Sequence, residues 1–218
     1  MSLKFAKIAS LAAVAAAAGF SLWARTQLPD AAIATHFDHS GHVNGYMPRD
    51  IALAFGPAFT LALVVIMLWI VPVIMPKKGS LERSSEAYGA SIVILALFLS
   101  FVHFGLVARA LHYPVEMPRM TLFGIGLLFI VIGNYLPKTR FNYVMGIRSP
   151  WTLSSEEVWD KTHRLAGPLH VLLGLGVLAD AIVAPFPQAY IFMVGAAVAV
   201  TLICLIYSYW VAKRLGVA

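Results

Sequence analysis

The sequence predicts an all-α polytopic membrane protein with six transmembrane helices, both termini cytoplasmic, and an amphipathic cytoplasmic helix between helices 4 and 5. Composition is the first observation, because the 218 residues are 60% hydrophobic and only 12% charged, about half the charged fraction of a soluble domain. The mean hydropathy is +0.81. Long apolar runs and a one-sided distribution of basic residues are the other two observations. Together they exclude a soluble globular protein.

Each predicted helix is an apolar run of about twenty residues, the length that crosses the hydrocarbon layer. The runs cover residues 3–23, 51–75, 88–111, 121–136, 165–184 and 189–212. The fourth run is the shortest, and counting from Pro118 brings it to spanning length at ordinary tilt. The first run is not followed by a small-x-small cleavage site, so we expect a retained helix rather than a secretory signal.

We expect a single membrane domain over residues 1–218. Residues 1–75 form a two-helix unit with an outer loop at 24–50, and residues 88–212 form a four-helix unit with a cytoplasmic loop at 133–167. No low-complexity linker or repeat of solenoid length divides the chain.

The orientation is predicted from the positions of the basic residues, which are retained on the cytoplasmic side. With both termini inside, twelve of the sixteen Lys and Arg residues are cytoplasmic. The four outer ones are Arg25, Arg49, Arg109 and Arg119. The net charge of +6 therefore indicates topology and contact with the lipid bilayer, and no direct binding of nucleic acid is expected.

Loop 133–167 has a composition that a simple connection between helices does not need. It contains five Lys or Arg residues, two Asn, two Trp and one His between runs with almost no charge. Pro150 predicts an extended stretch over residues 148–151, because the residue before a proline is pushed away from the helical region. Ser154 and Glu157 then predict a capping box at the start of the amphipathic helix.

Side chains along that helix are spaced for local pairing. Glu157 with Lys161, and Asp160 with Arg164, are each four residues apart in the order that favours ion pairs. This spacing predicts an amphipathic helix that lies at the membrane interface and leads into the fifth span.

Two interpretations of the loop stay open at this point. One is a lipid-surface anchor, in which Trp151 and Trp159 belong to an aromatic belt. The other is a hydrogen-bonded cluster, because an amide at the inner end of a membrane helix needs partners. That cluster would consist of Asn134, Asn142, Arg148 and His163.

The loop also carries an ordered series of residues that matches a known family pattern: Asn134, 136–138, Asn142, 146–148, 150–153, 156–159 and 162–164. This series resembles the SdpI family of bacterial membrane proteins. The resemblance assigns the signature loop, and any partner binding by it, to Asn134, Asn142, Gly146, Arg148, Pro150, Trp151, Thr152, Trp159, His163 and Arg164. It implies no cofactor.

The function implied by this resemblance has an outer and an inner part. A member of the family gives immunity against a secreted, membrane-active peptide toxin on the outer face. On the inner face it transduces a signal by capturing a cytosolic repressor protein. The resemblance therefore implies a multi-pass protein of the bacterial cytoplasmic (inner) membrane.

The outer loop contains a second group of candidate residues. Pro29, His36, Gly41 and Tyr46 resemble the pattern of a small domain of unknown function that often precedes the SdpI signature. The side chains with the chemistry to bind Zn²⁺ are His36, Asp38, His39 and His42. Their spacing is not that of a recognised zinc motif, so we expect a solvated turn and no metal.

Ionisable residues inside the predicted spans are costly unless they are paired or face inward. His103, Arg109 and Asp180 are of this kind, and we expect His103 and Asp180 to face one another in the outer half of the bundle. Such a pair leaves a small transporter or proton-coupled carrier as an alternative function, with an intramembrane metal-dependent enzyme as a third. No catalytic motif is present, so we do not expect an enzyme.

The predicted topology can be tested at Ser154 in the cytoplasmic loop. We expect a cysteine at this position to resist a membrane-impermeant thiol reagent in intact cells and to react after the membrane is opened. Labelling in intact cells would contradict the orientation derived from the basic residues.

Overall fold

The computed structural model describes residues 2–38, 40–74, 78–185 and 188–217, and for residues 78–80 the backbone alone. The elements in chain order are α1 (Leu3–Gln27), β1 (Ile33–Phe37), β2 (Val43–Met47), α2 (Arg49–Val65), a π-helical turn (Ile66–Ile70), α3 (Val71–Ile74), α4 (Lys78–Arg83), α5 (Ser85–Ala110), α6 (Met117–Tyr135), a 3-10 turn (Leu136–Lys138), α7 (Pro150–Ser154), α8 (Glu156–Val183) and α9 (Gln188–Arg214).

Within the described residues, six helical segments are long and apolar enough to cross a membrane, which confirms the predicted number of spans. They are α1, the continuous segment Arg49–Ile74 that contains α2 and α3, α5, Met117–Lys138, α8 and α9. The chain is a multi-pass membrane protein. The cytoplasmic position of the termini stays a prediction.

The six long helices pack as two groups of three. Helices α1, α2 and α5 contact one another around Val64, Tyr88 and Ala96. Helices α6, α8 and α9 enclose a second core that contains Leu122, Val177 and other apolar side chains. The two groups meet where α5 lies against α6.

Close backbone contact joins α6 to α8, as their glycines predict. A Cβ atom added at Gly126 would lie 3.0 Å from the carbonyl oxygen of Gly174, and one added at Gly133 would lie 2.8 Å from that of Gly167. Glycine is needed at these positions because the opposing backbone occupies the space. Gly176 does not join this contact and faces Phe192 of α9 instead.

A β-hairpin, which the sequence pattern does not predict, occupies the outer loop. Strands β1 and β2 pair antiparallel, with Ile33 opposite Met47. The Asp38 carboxylate accepts hydrogen bonds from the backbone N–H groups of Ser40 and His42 at 2.8 and 2.9 Å, which closes the turn. Ile33 packs into a core formed by the outer ends of α1, α2 and α5. The hairpin is therefore fixed to the first group of helices.

The contact between α6 and α8 can be tested with alanine at Gly174. We expect Gly174→Ala to lower the free energy of unfolding by about 1–3 kcal/mol, because the new methyl group overlaps Ile130 and the backbone of Gly126. Gly195→Ala is the control, since a Cβ there meets nothing within 4 Å and alanine favours a helix by about 1 kcal/mol. Equal thermal stability of the two purified variants would contradict the contact.

Candidate functional site

The candidate site is the loop between α6 and α8, which folds into a compact unit at one end of the bundle. Asn142 organises its first part and is fully buried. Its side-chain amide donates to the carbonyl of Arg140 at 2.8 Å, while its Oδ1 accepts from the N–H groups of Val144 and Met145 at 2.8 and 2.9 Å. One side chain thus satisfies three backbone groups, each of which would be costly to bury alone.

His163 organises the second part of the loop from its position on α8, where it is fully buried. Its Nε2 accepts a hydrogen bond from the backbone N–H of Ile147 at 2.9 Å. Its Nδ1 lies 2.8 Å from the carbonyl oxygen of Trp159. Because Nε2 is the acceptor, Nδ1 must carry the proton and donate it to that carbonyl. The imidazole is therefore held as one neutral tautomer.

Trp159 is also fully buried, so it cannot belong to an interfacial aromatic belt. Its ring stacks on His163 with centroids 4.1 Å apart, and its Nε1 donates to the carbonyl of Thr139 at 3.2 Å. Phe141 packs edge-on against the same ring at 5.7 Å. The anchor interpretation is therefore wrong for Trp159, which is a core residue of the loop.

Gly146 lies directly against this pair of rings. Its backbone adopts φ +102°, a conformation that residues other than glycine rarely adopt. A Cβ at this position would come within 2.5 Å of His163 Nε2 and 3.1 Å of the Trp159 ring. Gly146 thus allows the next residue, Ile147, to reach His163.

The short helix α7 (Pro150–Ser154) and its N-cap Ser149 attach the loop to α9. Ser149 and Thr152 make a capping box, and the Thr152 hydroxyl also donates to the carbonyl of Ile147 at 2.8 Å. Ser149 Oγ lies 3.0 Å from the Ser208 hydroxyl of α9. Trp151, half-buried, packs edge-on against Tyr209 of α9 with centroids 5.2 Å apart.

Two local predictions for this segment are wrong. Trp151 is helical rather than extended, because Pro150 occupies the first turn of α7, where its missing N–H is not needed. The cap of α8 is Ser155 rather than Ser154: the Ser155 hydroxyl accepts from the N–H groups of Glu157 and Val158. Ser154 is the last residue of α7, and its hydroxyl donates to the carbonyl of Trp151.

The loop also contacts the first group of helices. The Ser84 hydroxyl, just before α5, accepts from the Arg140 N–H at 2.8 Å and donates to the Arg140 carbonyl at 3.2 Å. Val144 and Met145 pack against the core that contains Val64 and Tyr88. The loop therefore touches α5 and its neighbours on one side and α8 and α9 on the other, so it bridges the two groups.

Exposed ion pairs surround this buried network. Lys161 pairs with Glu157 at 2.8 Å, as its spacing predicts. Asp160 pairs with Arg140 at 3.5 Å rather than with Arg164, because the folded loop brings Arg140 closer. Such exposed pairs contribute about 0–1 kcal/mol each, so the loop is held mainly by its buried hydrogen bonds and ring contacts.

The predicted cluster of four polar residues is wrong as a directly bonded group. Asn142 and His163 are both buried but bind different parts of the loop backbone. Asn134 is exposed on α6, and Arg148 is exposed with its Nη1 donating to the carbonyl of Tyr143 at 2.8 Å. Across the described residues, no hydrogen bond joins any two of the four side chains. The two buried side chains, Asn142 and His163, form their hydrogen bonds with backbone groups instead of with one another.

The predicted pairing of His103 with Asp180 is also wrong. His103 Nε2 lies 2.7 Å from the Ser21 hydroxyl of α1, and its ring packs on Gly56 of α2. Asp180 belongs to α8 in the other group of helices, and its Oδ2 is buried without a hydrogen-bond partner among the described residues. The two side chains belong to different groups of helices.

The two outer histidines that the structure describes, His36 and His42, have different partners. His36 Nδ1 lies 3.0 Å from the Thr35 hydroxyl, and His42 Nδ1 lies 3.5 Å from the Asp38 carboxylate. His39 lies outside the described residues. Within the part of the chain that the structure describes, no group of three or more His, Cys, Asp or Glu side chains is placed to hold a metal ion.

The remaining outer residues are parts of the hairpin and its approach. Pro29 precedes β1, and its carbonyl accepts from the N–H of Ala31 at 2.9 Å. Gly41 turns the hairpin with φ +84°. Tyr46 lies on β2 with 63% of its surface exposed.

Comparison with known proteins gives one family and one relative. Residues 138–208 match the model of the SdpI/YfhL protein family. The chain is also similar to a protein of Bacillus subtilis (strain 168) named Immunity protein SdpI, with 26% identity over 161 residues that cover 68% of this chain and 76% of that protein. No solved structure matches the chain significantly. The resemblance of the loop to the SdpI family is therefore confirmed, while the resemblance of the outer loop to the small preceding domain stays a prediction.

The fit of Gly146 against the stacked rings can be tested with alanine. We expect Gly146→Ala to lower the free energy of unfolding by about 2 kcal/mol or more, because backbone strain and overlap with His163 add. It should also speed trypsin cleavage in the loop. Gly216→Ala is the control: Gly216 also has a positive φ, of +69°, but open space around it, so only a backbone cost of about 1 kcal/mol is expected. Equal losses in both variants would show that the ring contact is unimportant.

Proposed function

We propose that this chain is an immunity and signalling protein of the bacterial cytoplasmic (inner) membrane, which protects the cell against a membrane-active peptide toxin. We further propose that loop 133–167 is the cytoplasmic surface that captures a partner, a repressor protein. The family match over residues 138–208 and the similarity to a protein named Immunity protein SdpI support the first part. The folded loop supports the second.

The observation that carries the proposal is that the loop is bonded to both groups of helices. Ser84 holds it to the start of α5, and Ser149 holds it to Ser208 of α9. A ligand on the outer face that changed the relative position of the groups would therefore change the shape of the loop. A partner that prefers one of the two shapes would then be captured or released, as any coupling between two sites requires.

The exposed side of the loop offers groups suited to a protein partner. Tyr143 is 43% exposed, and the Arg148 guanidinium is oriented by its bond to the Tyr143 carbonyl. Arg148 and Arg164 are exposed and form no ion pair with a carboxylate among the described residues. Arginine and tyrosine are enriched in protein interfaces, so an acidic surface on the partner is the matching chemistry.

The carrier alternative loses the observation that favoured it, because His103 and Asp180 do not meet. His103 is instead a buried residue that joins α5 to α1 through Ser21. We therefore propose a binding role without catalysis and without a cofactor.

Protection can be tested by expressing the chain in Bacillus subtilis cells that lack their SdpI. We expect survival to rise when the cells are exposed to the secreted peptide toxin that the family resemblance implies. Immunoblots of the membrane fraction must show that the chain is present. Unchanged survival at a normal protein level would contradict the immunity proposal.

The partner surface can be tested with Arg148→Gln. We expect this variant to keep protein level and thermal stability but to lose recruitment of the repressor to the membrane, measured by fluorescence of a tagged repressor. The control is Lys213→Gln, which removes one positive charge from an exposed position at the end of α9. If both variants recruit the repressor as the unmodified chain does, Arg148 is not part of the partner surface.

A further inference from the structure

The four outer arginines differ in whether they form an ion pair with a carboxylate. Arg25 pairs with Asp50 at 2.9 Å, Arg49 pairs with the same carboxylate at 2.9 Å, and Arg119 pairs with Glu116 at 2.9 Å. Arg109 alone of these four forms no ion pair with a carboxylate of the described residues. Leaving a half-buried cation without an anion at a membrane boundary is costly unless a ligand supplies the anion.

Arg109 is held in place from two sides. Its Nη1 donates to the carbonyl of Val115 at 3.0 Å, and its guanidinium lies 5.0 Å from the ring centre of Phe37 on the hairpin. These contacts fix the side chain but leave most of its N–H donors for other partners. The side chain is therefore prepositioned to bind an anion.

A polar pocket of about 310 Å³ lies beside it. The pocket is lined by Ser40, Gly41, Arg109, Glu116, Pro118 and Arg119. Glu116 is already neutralised by Arg119, whose Nη1 also donates to the carbonyls of Ala181 and Ile182 at 3.0 and 3.1 Å. The charge that remains in the pocket is positive.

An apolar cavity of about 310 Å³ adjoins this pocket and shares Pro118 with it. Its lining includes Phe37, Val102, Leu106, Leu122 and Ile125, with Thr35 and Asp38 at the hairpin side. On α5, Val102 lies seven residues before Arg109. On α6, Ile125 lies seven residues after Pro118. Seven residues correspond to about 10 Å along a helix. The apolar cavity thus runs from the level of the arginines toward the middle of the bundle.

We propose that this outer arginine site, formed by the polar pocket and the apolar cavity, binds one anionic phospholipid. The phosphate lies against Arg109 and Arg119, and part of an acyl chain lies between α5 and α6. Guanidinium groups suit phosphate because they offer several N–H donors in one plane. The site is cationic at the helix ends and apolar further into the bundle. A phospholipid in the surrounding leaflet has the matching arrangement, with its anionic head group at the surface and its acyl chains further in. This site goes beyond the proposed function and does not depend on it.

An apolar peptide with a free terminal carboxylate has related chemistry, but the phospholipid is the ligand that the position favours. The arginines lie at the last turn of α5 and the first turn of α6, at the ends of two candidate spans, where we expect lipid head groups. Because lipid surrounds the helices at all times, a phospholipid can enter the site directly, whereas a peptide must first reach the protein.

Lipid binding can be measured on the purified full chain after removal of bound lipid. Phosphatidylglycerol and phosphatidylethanolamine are titrated separately, and bound lipid is counted by native mass spectrometry. We expect the unmodified chain to bind phosphatidylglycerol more tightly, and Arg109→Gln to weaken that binding about tenfold, as loss of one charge-assisted contact predicts. Arg25→Gln removes the same charge from the same face outside the site, and should bind as the unmodified chain does.

A second variant tests the apolar part. Thr121→Leu places a larger side chain in the lining of the apolar cavity, so we expect weaker binding of phosphatidylglycerol with both arginines in place. Thermal unfolding without lipid verifies that each variant is folded. Equal effects of Arg109→Gln and Arg25→Gln, or equal binding of the two lipids, would overturn the proposal. So would binding of an apolar peptide with a free carboxylate, dependent on Arg109, in the absence of phosphatidylglycerol binding.

Discussion

The need to satisfy polar groups that are buried at one end of the bundle determines the shape of loop 133–167, and through it the relation of the two groups of helices. Asn142 and His163 are both fully buried and bind backbone groups from residues 140–147. Any displacement of the loop would leave several of these groups without partners in a region of low polarity, where each costs about 1–3 kcal/mol. These bonds therefore hold the loop in this shape as long as the two groups of helices keep their relative position.

The contacts between helices differ in how much movement they allow. Helices α6 and α8 touch backbone to backbone at Gly126 and Gly174, so neither can rotate without a clash. The contact of α5 with α6 is made through side chains: a Cβ at Gly124 would meet the rings of Phe98 and Phe101. Rings can adjust to a shift in ways that two backbones cannot. Relative movement of the two groups is therefore easiest at the interface of α5 and α6, which loop 133–167 spans at one end.

The sequence predicts what depends on local pattern and fails where the answer depends on neighbours. Six spans follow from apolar length alone, and the contact of α6 with α8 follows from their glycines. The similar depth predicted for His103 and Asp180 does not determine which way either side chain faces around its helix axis. The sequence does not predict the hairpin, because its strands have only five residues each and its histidines are typical of a metal site as much as of a strand.

Within the loop, the sequence identifies the important residues but not their partners. Asn142, Trp159 and His163 stand out because polar and large aromatic groups are unusual between apolar runs, and all three prove to be buried. Their partners are backbone groups, however, and a sequence gives no sign of which carbonyl a side chain will meet. Gly146 is a similar case. Its place in the family pattern indicates that a larger residue is not tolerated, but only the structure shows that the ring of His163 occupies the space. The buried residues therefore account for the shape of the loop, and the proposed recognition of a partner is assigned to the exposed residues that this shape presents, Tyr143, Arg148 and Arg164.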